Sequence, residues 1–377
     1  MRRVVHLFWG FSYGGVETLL VNLLNEQVRQ GLDVHFVVIN DLIASDLMNR
    51  VLPEVHFHLL KRRRNSKNVW FIIQLHRLLK QLSPDTIHLH GFEIAQLLAP
   101  HWRSKACATI HALPTDHFVY RRILLPASLD RLLSHLLGRR NMLTCVSHLV
   151  AISESVQKEL LTQYGQASTL ISNGLVVPDF KQRNAHATHS IFRIIQVSRL
   201  QHTVKGQDLL IEAARLLVQE GITNFHISFI GEGESFHYLQ QKVAESHLTS
   251  YISFLGAQSP EYIATQLCEY DLFVQPSRSE AFGLTVAEAM AARVPVLVSS
   301  GQGPAEVVGG TQNGWIFKNN DAVDLKDQIL QIMGQLDLAN EKVARAFDRV
   351  ATCYDIVAVV QKYSKYYAQI ENQNSLR

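Results

Sequence analysis

Short apolar runs and amphipathic stretches alternate along this chain. Val4–Phe8 is apolar except for His6 and predicts a buried strand; a helical period then runs from about Glu17 to Gln30. The alternation continues with a strand over Val34–Ile39, a helix over about Asn68 to Gln81, and a strand over Thr86–His90. A short helix after Glu93 and strands over Cys107–His111 and Leu143–Val146 follow, before a helix over Glu154–Tyr164. The polar run Val177–Ser190 breaks the pattern and reads as a linker. A second alternation then starts, with strands over Ile194–Ser198, Phe225–Ile230, Ile252–Leu255, Leu272–Gln275 and Val294–Ser299. Helices over Gln207–Glu220 and Phe236–Glu245 lie between them. Buried strands alternating with helices predict an α/β chain with parallel sheets covered on both faces. The expected division is a Rossmann-like domain over 1–176, a second over 177–354, and a helix from about 355 that ends the chain.

Length and composition fit that division. The chain has 377 residues, more than one ordinary domain holds, and hydrophobic residues make up 47%, enough for two cores. Cys107, Cys145, Cys268 and Cys353 lie far apart, which argues for a reducing compartment and against a zinc or disulfide framework. No apolar stretch reaches the length of a membrane span. Net charge refines the picture. Residues 1–175 carry 19 Lys and Arg against 12 Asp and Glu, whereas the remainder carries 17 against 21. The basic half contains Lys61-Arg62-Arg63-Arg64 with Lys67, followed by the apolar Val69–Ile73, then Arg121, Arg122, Arg131, Arg139 and Arg140. Such a face is either merely solvated or meets an anionic membrane surface. No recognition motif accompanies it, so nucleic acid is not an expected partner.

The most specific chemistry lies in Ser277–Met290. Leu272–Gln275 reads as a strand ended by Pro276, and Leu284 to Ala292 as a helix of good formers, so Glu280 falls on the turn and Glu288 inside the helix. Between them Phe282, Gly283 and Leu284 bring amides that lack intrahelical partners, which makes an anion site. A phosphate flanked by two hydroxyl-binding carboxylates fits a nucleotide-sugar. Arg199, at the end of a strand, and Lys205, in the loop that follows, supply two cations suited to a departing diphosphate. Gly14-Gly15 opens the first helix and lets the backbone approach a ligand, though a tight turn would need the same residues. Its spacing is not the G-x-G-x-x-G dinucleotide pattern. His111 ends a strand where open α/β sheets bind ligands, and His88 and His90 are similarly placed. Gly231-Glu232 and Leu255-Gly256 follow strands in the second half. No Asp-x-Asp triplet or metal-spaced His/Cys cluster occurs, so no metal is expected in the reaction.

Taken together, these residues resemble the retaining glycosyltransferases of family 4, which have the GT-B fold: two Rossmann-like domains facing each other across a cleft, with a C-terminal helix returning to the first. The resemblance implies transfer of a sugar from a nucleotide-diphosphate donor, a UDP-sugar first among candidates, to an acceptor held by the N-terminal domain. It gives Glu280 the transferred sugar's hydroxyls, Glu288 the ribose, and Arg199 with Lys205 the pyrophosphate. Phe282, Gly283 and Leu284 would hold phosphate or sugar through their amides. Gly14 and Gly15 would face the donor phosphates. His111 would meet the sugar near the reacting carbon, with Gly231, Glu232 and Leu255 lining the nucleotide pocket. The catalytic set is then His111, Arg199, Lys205 and Glu280. A cytoplasmic enzyme of cell-surface polysaccharide or lipopolysaccharide synthesis is expected, with a sugar or lipid-linked acceptor and membrane contact through Arg62, Arg63 and Arg64. A nucleotide-sugar epimerase of the same fold, or a non-catalytic sugar-binding homologue, is the alternative.

Overall fold

The computed structural model describes residues 1–12, 14–63, 66, 68–112, 142–184 and 190–375. Arg64, Lys67, Arg121, Arg122, Arg131, Arg139 and Arg140 of the basic half lie outside them. The chain divides into two compact units, Met1–Gly174 with Ile356–Arg377, and Leu175–Asp355.

In the first unit the strands are β1 (Arg3–Phe8), β2 (Asp33–Asn40), β3 (His56–Arg62), β4 (Thr86–Leu89), β5 (Ala106–Ile110), β6 (His148–Ala151) and β7 (Thr169–Leu170). They form one parallel sheet in the order β3-β2-β1-β4-β5-β6-β7. The second unit has β8 (Phe192–Val197), β9 (Phe225–Ile230), β10 (Ile252–Phe254), β11 (Leu272–Gln275), β12 (Val296–Ser299) and β13 (Trp315–Phe317). Their order is β10-β9-β8-β11-β12-β13, again all parallel. Each sheet therefore reverses its winding beside its first strand, between β1 and β4 and between β8 and β11. At such switch points the loops leaving the carboxyl ends diverge and open a crevice. The central strands are near-continuous apolar runs because helices cover both faces; β11 and β12 are buried at every position.

Helix Ile356–Ser375 returns to the first unit. Ile356, Val359, Val360, Tyr363, Tyr367 and Ile370 recur at helical spacing and are all buried, against helix Gly15–Arg29 and β4.

Three sequence expectations need correction. The strand expected at Leu143–Val146 is a 3₁₀ turn, Met142–Cys145, and the strand is His148–Ala151. The short helix after Glu93 is a 3₁₀ segment, Phe92–Leu97. The described part of the polar run Val177–Ser190 is no free linker. Lys181 and Arg183 donate their amides to Ala264 and Ala292 carbonyls, and Arg183 Nη2 meets Asp271 Oδ1 at 2.9 Å with both side chains almost fully enclosed. Loss of either partner would leave a buried charge, a penalty of about 3–5 kcal/mol.

Candidate active site

In the second unit the candidate residues gather on loops leaving the carboxyl ends of β8, β9, β10 and β11. Close backbone approaches hold these loops together. Gly231 has φ +132°, and a side chain there would collide with the Ser198 carbonyl; its amide donates to Gly256 O at 2.8 Å. The Ser198–Arg199 and Leu255–Gly256 loops are thereby packed on the Gly231–Glu232 turn. Leu200 donates its amide to Glu232 O, and Leu255 donates its own to Phe229 O. The Leu255 carbonyl already accepts from Gln258 Nε2 at 2.7 Å, so the backbone expected to meet a base is partly engaged within the fold.

Lys205 Nζ lies 2.8 Å from Glu280 Oε1. Glu280 Oε2 accepts from Ser277 Oγ at 2.6 Å and from Gln275 Nε2 at 2.8 Å. The expectation of two cations for the diphosphate is thus modified: Lys205 shares its charge with Glu280, while Arg199 is exposed and its side chain makes no ion pair or hydrogen bond among the described residues. Gln207 Nε2 donates to Arg199 O at 2.8 Å and Gln196 Nε2 to Lys205 O at 2.9 Å, so buried amides hold both ends of the cationic loop. Arg278 braces the same loop, making a bidentate pair with Asp208 at 2.7 and 3.0 Å and donating to His202 O.

After Glu280 the chain turns through Gly283, at φ +100°, into helix Leu284–Ala291. The helix has no side-chain cap, and the amides of Phe282, Gly283 and Leu284 donate to nothing among the described residues. Unsatisfied amides at a helix start form an anion site. The Phe282 ring is buried edge-on against Tyr354, so only its backbone is available. Glu288 lies one turn along, its carboxyl without a hydrogen bond or ion pair among the described residues, and burial pushes that carboxyl up to about 7. A partnerless carboxyl with a raised pKa is a candidate ligand position.

In the first unit Gly14 precedes helix Gly15–Arg29, which also lacks a side-chain cap, and a side chain at Gly14 would collide with Glu17. His111 follows β5 and ends a chain of buried imidazoles. Gln27 bonds His6 Nε2 at 2.7 Å, His6 Nδ1 bonds His90 Nε2 at 2.9 Å, and His90 Nδ1 bonds His111 Nε2 at 3.2 Å. His88 is held separately by Tyr367 and Thr109, each at 2.7 Å. One proton occupies each link, so the tautomers are coupled. With Gln27 Oε1 accepting from His6, each ring donates to the one before it, and His111 Nδ1 keeps a lone pair. That atom is buried and has no partner among the described residues. Turning the Gln27 amide over would reverse every proton in the chain. Burial depresses all four rings, His6 and His111 to about 4, so they are neutral at pH 7. The lone pairs of His6, His88 and His90 approach one another as metal ligands would. They already have internal partners and, among the described residues, no carboxylate in the cluster, a poor setting for a dication.

Comparison with known proteins assigns the chain. The family profile "Glycosyltransferase Family 4" matches residues 13–177, and the profile "Glycosyl transferases group 1" matches residues 179–347. This chain is a family 4 glycosyltransferase. The N-acetyl-alpha-D-glucosaminyl L-malate synthase of Bacillus anthracis is 23% identical over 379 residues, 95% of each chain. The amylovoran biosynthesis glycosyltransferase AmsK of Erwinia amylovora is 28% identical over 202 residues, 50% of this chain and 49% of that one. A crystal structure of Anabaena HepE in complex with UDP and glucose superposes with TM-score 0.76 at 16% identity, covering 98% of this chain and 100% of that one. That likeness establishes the GT-B fold.

Several residues of the glycosyltransferase were not singled out from sequence: Gln196, Gln207, Gln275, Ser277 and Arg278. The signal was present in the first four as polar side chains in or beside otherwise apolar strands and helices, all but fully buried. Arg62, one of three expected membrane contacts, is folded inward. It donates to Asn40 and to Ser66 O, and lies over the Phe71 ring at 5.2 Å. Of the other two, Arg63 is exposed and Arg64 is undescribed.

Proposed function

We propose that this glycosyltransferase binds the diphosphate of a nucleotide-sugar, UDP-linked first among candidates, in its second unit and transfers the sugar with retention of configuration. One observation supports this above the others: the partnerless Glu288 carboxyl and the unsatisfied amides of Phe282, Gly283 and Leu284 belong to one short turn and helix. There Glu288 takes the ribose hydroxyls and the amides take phosphate. Arg199 and Lys205 neutralise the departing diphosphate, and Glu280 holds the sugar hydroxyls. Gly231, Glu232 and Leu255 line the nucleotide. In the first unit, the Gly14-Gly15 turn offers backbone for a phosphate and the His111 lone pair accepts a hydroxyl. The acceptor oxygen bonds the anomeric carbon on the face the diphosphate leaves, and its proton goes to that diphosphate. The relative named for amylovoran biosynthesis supports a sugar acceptor, with cell-surface polysaccharide or lipopolysaccharide assembly as the proposed setting.

Thermal shift with a panel of UDP-, GDP- and ADP-sugars tests the donor site. One donor should stabilise the wild type and not Glu288→Ala, equally with and without EDTA, because Arg199, Lys205 and the amides stand where a metal serves elsewhere. Stabilisation of both proteins alike, or only with added metal, would remove the assignment.

No helix among the described residues is long and apolar enough to cross a membrane. Peripheral contact, with a lipid-linked acceptor, is part of the proposal. It rests on Lys61 and Arg63 beside the exposed Val69, Trp70 and Ile73. Co-sedimentation with anionic vesicles at low salt should fall sharply in Trp70→Ala combined with Arg63→Glu, and unchanged pelleting would discard the surface.

A further inference from the structure

Four ionisable side chains gather on the edge of the first sheet, away from the carboxyl ends that carry the candidate active site. Asp33 opens β2 and His56 opens β3; their parallel register sets His35 opposite His56, with His58 two residues on. Residues two apart on a strand share a face, so Asp33 with His35 and His56 with His58 converge. Asp33 Oδ1 lies 3.2 Å from His35 Nε2 and 3.7 Å from His56 Nε2, and the three atoms fall within 4.8 Å of one another. Ligand atoms held about 2.0–2.1 Å from a tetrahedral zinc stand roughly 3.3 Å apart.

A second observation is independent of that spacing. His35 is 7% exposed, and its Nε2 makes no hydrogen bond among the described residues although it points at the Asp33 carboxylate. A buried nitrogen left unpaired is costly, and a bridging cation removes that penalty. The outer partners are in place too. His35 Nδ1 bonds His58 Nε2 at 2.9 Å, and when it donates there Nε2 carries the lone pair a metal needs. Arg3 Nε donates to Asp33 Oδ2 at 2.6 Å, leaving Oδ1 for the cluster. His56 is largely exposed, which leaves a fourth position for water.

We propose that Asp33, His35 and His56 bind a divalent zinc ion, which fastens the edge strand β3 to β2. The site is separate from sugar transfer and stands or falls independently of it. Chelator-treated protein is titrated calorimetrically with Zn²⁺, and with Co²⁺ for its visible absorption. The expected result is one tight equivalent per chain, intense four-coordinate cobalt bands, and a Tm raised by zinc. His56→Ala, on an exposed ring, should abolish the tight equivalent while leaving glycosyl transfer unchanged. Asp33→Asn should act likewise, and His58→Phe, which spares all three ligands, should weaken binding about 10–100-fold. Absence of stoichiometric uptake by the wild type, or uptake undiminished in His56→Ala, overturns the proposal.

Discussion

Glu288 and Lys205 show how single side chains are set for charge. Enclosure holds the Glu288 carboxyl near neutrality, about 7, whereas hydroxyls donating to it favour the ionised form. Donor affinity should therefore rise with pH up to about 7 and level off above it, by as much as about tenfold per unit. Glu288→Gln should flatten that profile, and calorimetric titrations at pH 5.5, 6.5 and 8 make the comparison; a wild-type profile as flat as the mutant's would mean that Glu288 does not meet the ribose. Lys205 is paired with Glu280 at 2.8 Å, so an arriving diphosphate competes for a cation already in use. On the proposed role of that cation, stabilising charge developed on the leaving group, Lys205→Ala should lower kcat about 10²–10³-fold with a much smaller change in KM. Near-normal kcat would leave Arg199 and the helix amides as the whole clamp.

At the scale of strands and loops, much was legible. The apolar runs of β1, β2, β9 and β11 gave the parallel architecture, and Pro276, Gly283 and the good formers from Leu284 gave the turn and helix that carry Glu280 and Glu288. What escaped has physical causes. In β3 the pairing of His56–Arg62 with β2 was hidden by its charges, since an edge strand need not be continuously apolar. β13 spans only three residues, too few to show a period. Leu143–Val146 and His148–Ala151 are equally apolar neighbours, and only the pairing of the second with β5 decides between them. The Gln27–His6–His90–His111 chain depends on the registers of β1 with β4 and of β4 with β5, which no local pattern encodes. Lys205 and Glu280 are 75 positions apart, and their contact follows from β8 pairing with β11.

Over the whole molecule the buried imidazoles divide the two units. His6, His88, His90 and His111 all belong to the first unit and stay neutral well below their ordinary pKa. Unfolded, each takes up a proton near pH 6.5 that the folded unit refuses, so stability is lost as pH falls from about 6.5 towards 4. The loss is at most about 1.4 kcal/mol per pH unit for each ring. Among the described residues of the second unit no histidine is buried. Calorimetry at pH 7.5 and 5 should show the first unit's transition falling much further than the second's, and equal falls would contradict it.

The return of helix Ile356–Ser375 to the first unit also sets an order of events during synthesis. The second unit is one uninterrupted stretch, Leu175–Asp355, and can fold as soon as it leaves the ribosome. The first cannot, because Tyr363 and Tyr367, which close over Thr109 and His88, are translated roughly 200 residues after the sheet they cover. At about 5–20 residues per second the nascent sheet waits roughly 10–40 s with that face open. A chain clipped ahead of Tyr363 would keep a sound second unit beside a first unit unable to finish folding, a natural substrate for chaperones and proteases.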